Sequence, residues 1–131
     1  MLTNDGTINV ASTAQTNTSG TPVTTGVEAG QQSTFNHNGM LYIGREAQRE
    51  GTDATNDLRI SGDSIGVLLS GSATYNGDRA SKIVIGSQTT NATAIVVKNT
   101  ATLNQNGTIE INGDLPGESS IANVGINVKS G

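Results

Sequence analysis

Apolar residues recur at every second position in short runs along the chain, and three kinds of run follow one another in a fixed order. The first kind is built around one apolar anchor shortly before a glycine-containing turn: Leu2 before Asp5-Gly6, Phe35 before Asn38-Gly39, Tyr75 before Asn76-Gly77 and Leu103 before Asn106-Gly107. Alternation with a period of two is typical of strands with one face turned inward. The pattern therefore predicts a chain built of strands.

A second strand follows each turn, and a third strand follows a loop of variable length. The alternate residues of the second strand are Ile8/Val10, Leu41/Ile43, Ile83/Ile85 and Ile109/Ile111. The third strand opens with a small residue and then alternates, as Gly26-Val27-x-Ala29, Gly66-Val67-x-Leu69, Ala94-Ile95-x-Val97 and Gly125-Ile126-x-Val128. Because the same three patterns return four times, we interpret the chain as an internal repeat.

Three strands per copy predict an all-β fold, a right-handed three-sided parallel β-helix (β-solenoid) of about four coils. The whole chain, 1–131, is interpreted as one segment of such a helix, with coils at about 2–32, 33–72, 73–100 and 101–131. The loops at 11–25, 44–64, 86–93 and 112–123 would all leave one edge of it. Thr3, Asn36, Asn76 and Asn104 fall into one column and are predicted to form a side-chain ladder.

Two alternative folds and one alternative register remain open at this stage. Asn-Gly between alternating runs is also a hairpin signal, which favours a sandwich of antiparallel hairpins, and a disordered chain is the other alternative. Within the second copy, Leu58 and Ile60 of "DLRISGD" compete with Leu41 and Ile43 for the second strand. We prefer Leu41 and Ile43, because their distance from Phe35 matches that from Leu103 to Ile109.

The composition indicates which residues form the core and which classes of partner are disfavoured. With 2% aromatic residues, 14% charged residues and no Cys or Trp, the chain predicts a thin core of Ile, Val and Leu. A net charge of −4 disfavours nucleic acid and anionic membranes as partners. No run is apolar enough for a membrane span, and neither end has the features of a cap. We expect a fragment of a longer solenoid, whose open sheet edges would allow end-to-end self-association.

The insertion of the second copy, 44–64, is the main candidate for binding. It gathers charge in a chain otherwise poor in charge, on the edge where solenoids often bind their partners. The predicted binding residues there are Arg45, Glu46, Arg49, Glu50, Asp53, Asp57 and Arg59. One alternative is that these charges only keep a long loop soluble, and another is a cation site at Asp53, Asp57 and Asp63.

Outward positions of the strands add a second, apolar candidate. Tyr42 beside Val84 and Leu68 beside Val96 are predicted to form two small apolar spots on neighbouring faces. Tyr42 therefore joins the predicted binding residues. Exposed β-formers in a solenoid also serve as contacts between rungs, which is the alternative interpretation.

Catalytic chemistry is not expected. Glu28 and Glu110 are isolated on different predicted faces, so that no carboxylate pair forms. His37 is predicted to lie solvated in a turn, and no Ser or Thr has a partnering His. There is no phosphate-binding loop and no metal motif, so we predict no enzyme activity, no cofactor and no metal.

The alternation of "NGTIEING" with "GINVKSG" in a Cys-free, Asn/Thr/Ser/Gly-rich chain resembles the passenger domains of Gram-negative autotransporters, the type V secreted adhesins. The resemblance implies a non-enzymatic β-helical stalk at the cell surface, exported through the outer membrane by a signal and a barrel outside this segment. Its partners would be a host-cell protein or glycan, or a neighbouring bacterial surface. Two alternative functions are part of a polysaccharide lyase or hydrolase with its catalytic residues elsewhere, and a structural filament segment.

Overall fold

A computed structural model describes residues 1–10, 24–44, 60–86, 89–112 and 123–129, and within these ranges the regular elements are all strands. Each of the four coils contributes three of them, in chain order. The strands are β1 (Leu2–Asn4), β2 (Thr7–Val10), β3 (Thr24–Ala29), β4 (Thr34–His37), β5 (Met40–Ile43), β6 (Ile60–Leu69), β7 (Thr74–Gly77), β8 (Lys82–Ile85), β9 (Thr89–Val97), β10 (Thr102–Gln105), β11 (Thr108–Ile111) and β12 (Val124–Val128).

The strands form three parallel sheets, and every strand pairs with its counterpart one coil away. The first sheet has the order β1-β4-β7-β10, the second β2-β5-β8-β11 and the third β3-β6-β9-β12. The predicted three-sided parallel β-helix of about four coils is confirmed. The antiparallel sandwich is excluded, because neighbouring strands run in the same direction.

The predicted columns stack in register. The anchors pair as Leu2 with Phe35, Phe35 with Tyr75 and Tyr75 with Leu103. In the third sheet the row runs through Val27, Val67, Ile95 and Ile126. Leu41 and Ile43 pair with both neighbouring coils in the second sheet, so the preferred second strand of coil two is correct, and Ile60 begins β6 of the third sheet instead.

The core is a narrow column that is fully closed only in the two middle coils. Leu41, Ile83 and Ile95 have no exposed surface, whereas Ile126, at the equivalent inward position of the last coil, is 43% exposed. An inward side chain is covered from above and below by its neighbours in the stack, and Ile126 has such a neighbour on one side among the described residues. At the opposite end of the same column, Val27 is only 8% exposed, so the two end coils are covered to different extents.

The small residue that precedes the inward Val67 of β6 is required by close packing against the second sheet and the next coil. A Cβ added at Gly66 would lie 2.6 Å from the carbonyl oxygen of Ala94 and 3.1 Å from Cδ2 of Leu41. Large side chains are excluded there, because the β5 side chains already fill the space. The small-residue column of the sequence thus marks a packing constraint at Gly26 and Gly66, whereas the space beside Gly125 is open.

A four-residue corner leads from the third sheet back to the first. Its second position has positive φ in each described case, at Gln31 (54°), Gly71 (60°) and Asn99 (58°). Backbone hydrogen bonds continue between coils through this corner, for example from Ser72 N to Gln31 O at 2.7 Å and from Thr100 N to Gly71 O at 3.0 Å. This corner therefore keeps one length, while the second-to-third connection varies.

Three local expectations were wrong. Two predicted loops, 44–64 and 86–93, are shorter than expected, because β6 begins at Ile60 and β9 at Thr89 and both extend the third sheet. The Asn76-Gly77 pair lies inside β7, and the turn of that coil is formed by 78–81 instead. Pairing of β7 with strands on both sides keeps Asn76 and Gly77 extended, which overrides their local preference for a turn.

Candidate functional site

Arg45, Glu46, Arg49, Glu50, Asp53, Asp57 and Arg59 lie outside the described residues, so their role in binding stays a prediction. Tyr42 is described: it lies in β5, half-buried, at the position paired with Asn9 and Val84.

The two apolar spots are in the predicted register but are smaller than expected. Tyr42 pairs with Val84, and Leu68 pairs with Val96, as predicted. However, Val84 is only 4% exposed and Val96 only 2% exposed, although both stand at outward positions of the alternation. Neither spot is therefore a continuous exposed apolar surface.

A ladder of asparagine side chains runs up the outer face of the first sheet. Asn76 donates from Nδ2 to Oδ1 of Asn36 at 3.0 Å, and Asn104 donates from Nδ2 to Oδ1 of Asn76 at 2.9 Å. The predicted column is confirmed, with one difference at its end. Thr3 pairs with Asn36 through the backbone, while Nδ2 of Asn36 contacts the sulfur of Met1 at 3.0 Å.

This asparagine ladder borders an open groove of about 360 Å³. The groove lies where the first-sheet strands meet the corner that leads to the second sheet. Its lining residues are Thr3, Asn36, Asn38, Asn76, Gly77, Asp78 and Asn106. The sequence pattern places Asn38 and Asn106 only in turns. The signal that indicates the groove is that polar turn residues return at the same place in successive coils.

Polar contacts hold the corner side of the groove in place. Asn38 donates from Nδ2 to Oδ1 of Asp5 at 2.8 Å, which links two successive coils. The carboxylate of Asp78 accepts the backbone N–H of Ala80 at 3.1 Å, so it stabilises its own turn. Asp78 is the one charged residue of the described lining, and the groove therefore carries a weakly negative character.

His37 lies inside the coil and not in a solvated turn, which corrects the expectation from the sequence. Its ring is fully buried, stacks on Phe35 with centroids 5.6 Å apart, and has Nδ1 2.9 Å from the hydroxyl of Tyr75. Burial lowers the pKa of His37, opposed by a weaker interaction with the Met40 backbone, and burial also raises the pKa of Tyr75. Phe35-x-His37 places the imidazole at an inward position of the strand, out of reach of an external substrate.

Three buried polar atoms have no hydrogen-bond partner among the described residues. They are Nε2 of His37 and both amide atoms of Gln105. His37 and Gln105 occupy the same inward column, two coils apart, and Gly77 stands between them. A Cβ at Gly77 would fall 2.0 Å from Oε1 of Gln105 and 3.0 Å from the Tyr75 hydroxyl, so these side chains fill the space that the glycine leaves.

The carboxylates of the described strands are dispersed. Glu28 lies in β3 of the third sheet and Glu110 in β11 of the second. The pKa of Glu110 is lowered by a hydrogen bond from Asn112 and by the charge of Lys82, whose Nζ is 3.4 Å from Oε1. Among the described residues, no three His, Asp or Glu side chains gather as a metal site would require. Asp53 and Asp57 of the predicted cation site lie outside those residues.

The described part of the chain contains no helix long and apolar enough to cross a membrane. Comparisons of the chain with protein-family models, with curated proteins and with solved structures find no match.

Proposed function

We propose that this chain is a non-enzymatic, adhesin-like segment of a cell-surface β-helix, which holds a polar binding face and a set of loops on a rigid stack. The observation that supports this best is the continuity of the three sheets. Because the described strands pair from coil to coil, with one register shift between Ser61 and Ser64 of β6, side chains on the outer faces are held at the spacing of parallel strands, about 4.8 Å.

The arrangement favours presentation over catalysis. The one histidine is sealed in the core beside Tyr75, and Glu28 and Glu110 lie on different sheets, so these residues do not form a general acid-base pair in the part of the chain that the structure describes. In contrast, the asparagine ladder and the groove beside it are accessible and ordered by hydrogen bonds. A part of a polysaccharide lyase or hydrolase is therefore the weaker proposal.

The chain's resemblance to autotransporter passenger domains supports a place at the cell surface. In this proposal, the partners are a host-cell protein or glycan, or the surface of a neighbouring bacterium. We expect the connections from the second to the third sheet to carry residues that contact the partner, and the most charged of these segments spans 45–59.

Binding of the fluorescently labelled chain to cultured host cells and to bacteria, followed by flow cytometry, tests this function. We expect saturable binding that weakens when 45–59 is replaced by a short Gly-Ser linker. Shortening 113–122, an insert on the same edge, is the matched control, and circular dichroism checks that both variants keep their sheets. Absence of saturable binding would refute the adhesin proposal, whereas unchanged binding without 45–59 would dismiss that loop alone. Release of new reducing or unsaturated ends from a polysaccharide panel would favour the enzyme instead.

A further inference from the structure

The asparagine ladder leaves hydrogen-bonding capacity unused on the outer face of the first sheet. A side-chain amide carries two N–H donors and an oxygen with two lone pairs. Asn76 uses one donor toward Asn36 and one lone pair toward Asn104, within the described residues. One amide proton and one lone pair of Asn76 therefore remain for a ligand, side by side on the same group.

These groups are already ordered before any ligand arrives. Each ladder amide is held by its neighbours one coil away, and Asn38 at the corner is held by Asp5. Binding to pre-ordered side chains avoids the entropy cost of immobilising them, which is a main cost of association. The groove is thus better prepared for a ligand than a set of free surface asparagines would be.

The shape and lining of the groove select the ligand class. Its volume of about 360 Å³ lies at the small end of ligand sites, which span roughly 300–1,000 Å³. Its described lining contains no aromatic or aliphatic side chain, so this part of the groove lacks the apolar anchors on which peptide recognition depends. The carboxylate of Asp78 disfavours anionic ligands such as sulfated or sialylated glycans.

Hydroxyl groups match this lining, because each can donate one hydrogen bond and accept others. We propose that the groove beside the asparagine ladder binds a neutral oligosaccharide, through the amides of Asn36, Asn76 and Asn106 with Asp78 as a further acceptor. This inference rests on the proposed function and names the ligand class of that binding face. Because the contacts are a few hydrogen bonds, mostly neutral and without ring stacking, the dissociation constant of one groove is on the order of 1 mM.

Nuclear magnetic resonance of the isotope-labelled chain tests the proposal directly, because it resolves the asparagine side-chain amides. The probes are cellobiose, mannobiose and di-N-acetylchitobiose at tens of millimolar, with a sulfated heparin disaccharide as the anionic comparison. We expect saturable shifts of the Asn36, Asn76 and Asn106 amides with at least one neutral disaccharide, and weaker or no shifts with the heparin fragment.

Asn76→Thr is the decisive variant. Thr removes the amide, suits a strand, and already occupies the same column at position 3, so the fold should be kept. We expect affinity to fall by about fivefold or more. Asn9→Thr, at an exposed strand position on the second sheet, is the matched control and should bind like the wild type.

Equal affinity of Asn76→Thr and wild type would overturn the proposal, as would the absence of shifts with all three neutral probes or a preference for the heparin fragment. Shifts confined to the 45–59 region would also overturn it, while leaving the proposed adhesin function in place. Saturable binding to cells, together with no binding of neutral sugars in the groove, would likewise overturn the oligosaccharide proposal and keep the adhesin proposal.

Discussion

Ile95 and Ile126 allow a test of vertical stacking, because they are the same residue in the same column at the same inward position. Ile95 has no exposed surface between Val67 and Ile126, whereas Ile126 is 43% exposed. Replacing each by Ala removes the same three carbons. The difference between the two variants therefore reports what the neighbouring coil contributes.

The magnitudes follow from burial. Ile95→Ala leaves a cavity in a closed core, which typically costs about 2–5 kcal/mol, and we expect about 3 kcal/mol. Ile126 gains roughly half of the full burial value of about 1.5–3 kcal/mol, so that Ile126→Ala should cost about 1 kcal/mol. Both losses should leave a folded protein, since domains of ordinary stability have about 5–15 kcal/mol.

Urea unfolding followed by circular dichroism measures both losses through the midpoint and the slope. We expect the Ile95→Ala midpoint to fall about three times as far as the Ile126→Ala midpoint, at an unchanged slope. Equal destabilisation by the two changes would mean that the coils do not cover one another, and would refute the stacked register. A second transition in either variant would show that the coils unfold separately, in which case the midpoints must be compared for each transition.

Three further predictions follow from particular contacts. Burial lowers the folded-state pKa of His37 below its unfolded value of about 6.5, so the unfolded chain binds more protons below that pH. The contribution of His37 to stability should be full above about pH 6.5 and should be lost as the pH decreases toward the folded pKa. His37→Phe should remove this part of the pH dependence in urea titrations between about pH 5 and 7.5. Gly66→Ala would place Cβ 2.6 Å from a carbonyl oxygen and should cost about 1–3 kcal/mol in thermal unfolding, whereas Gly125→Ala, whose nearest atoms lie at 3.8 Å, should be close to neutral; a neutral Gly66→Ala would contradict the packing argument. Val128 is 73% exposed beside Ile126, so Val128→Lys should reduce concentration-dependent self-association in analytical ultracentrifugation, and a strictly monomeric wild type would contradict the expected end-to-end contact.

The sequence pattern predicted most columns well because most inward positions are filled by an aliphatic or aromatic side chain in every coil. The distance from the anchor residue of coil two favours Leu41 and Ile43 over Leu58 and Ile60 as the second strand. Strand pairing confirms this prediction. Asn36, Asn76 and Asn104 were placed in one column by the same reasoning, and their amides bond in sequence. Because each position of a repeat recurs in several coils, the register can be recognised even where one coil is irregular.

The misses share a physical cause, which is that neighbouring strands override local preference. Asn-Gly favours a turn in isolation, yet Asn76 and Gly77 are held extended by strands on both sides. The polarity of His37 and its nearness to a turn indicate a solvated position, although the alternation that starts at Phe35 places its side chain inward. The groove was missed because Asn38 and Asn106 come together only once the coils are stacked.

The two kinds of corner differ in how much change in length they tolerate during evolution. The corner through Gln31, Gly71 and Asn99 keeps one length and one backbone conformation, since a change there would shift every later rung. The opposite connection, from Ile85 to Thr89 in one coil and from Ile43 to Ile60 in another, differs widely in length, and a register shift between Ser61 and Ser64 precedes the regular pairing from Ser64 onward. Doubling the length of a flexible loop costs only about 0.6 kcal/mol, so new recognition segments can be inserted, exchanged or lost at that edge while the scaffold beneath them is inherited unchanged.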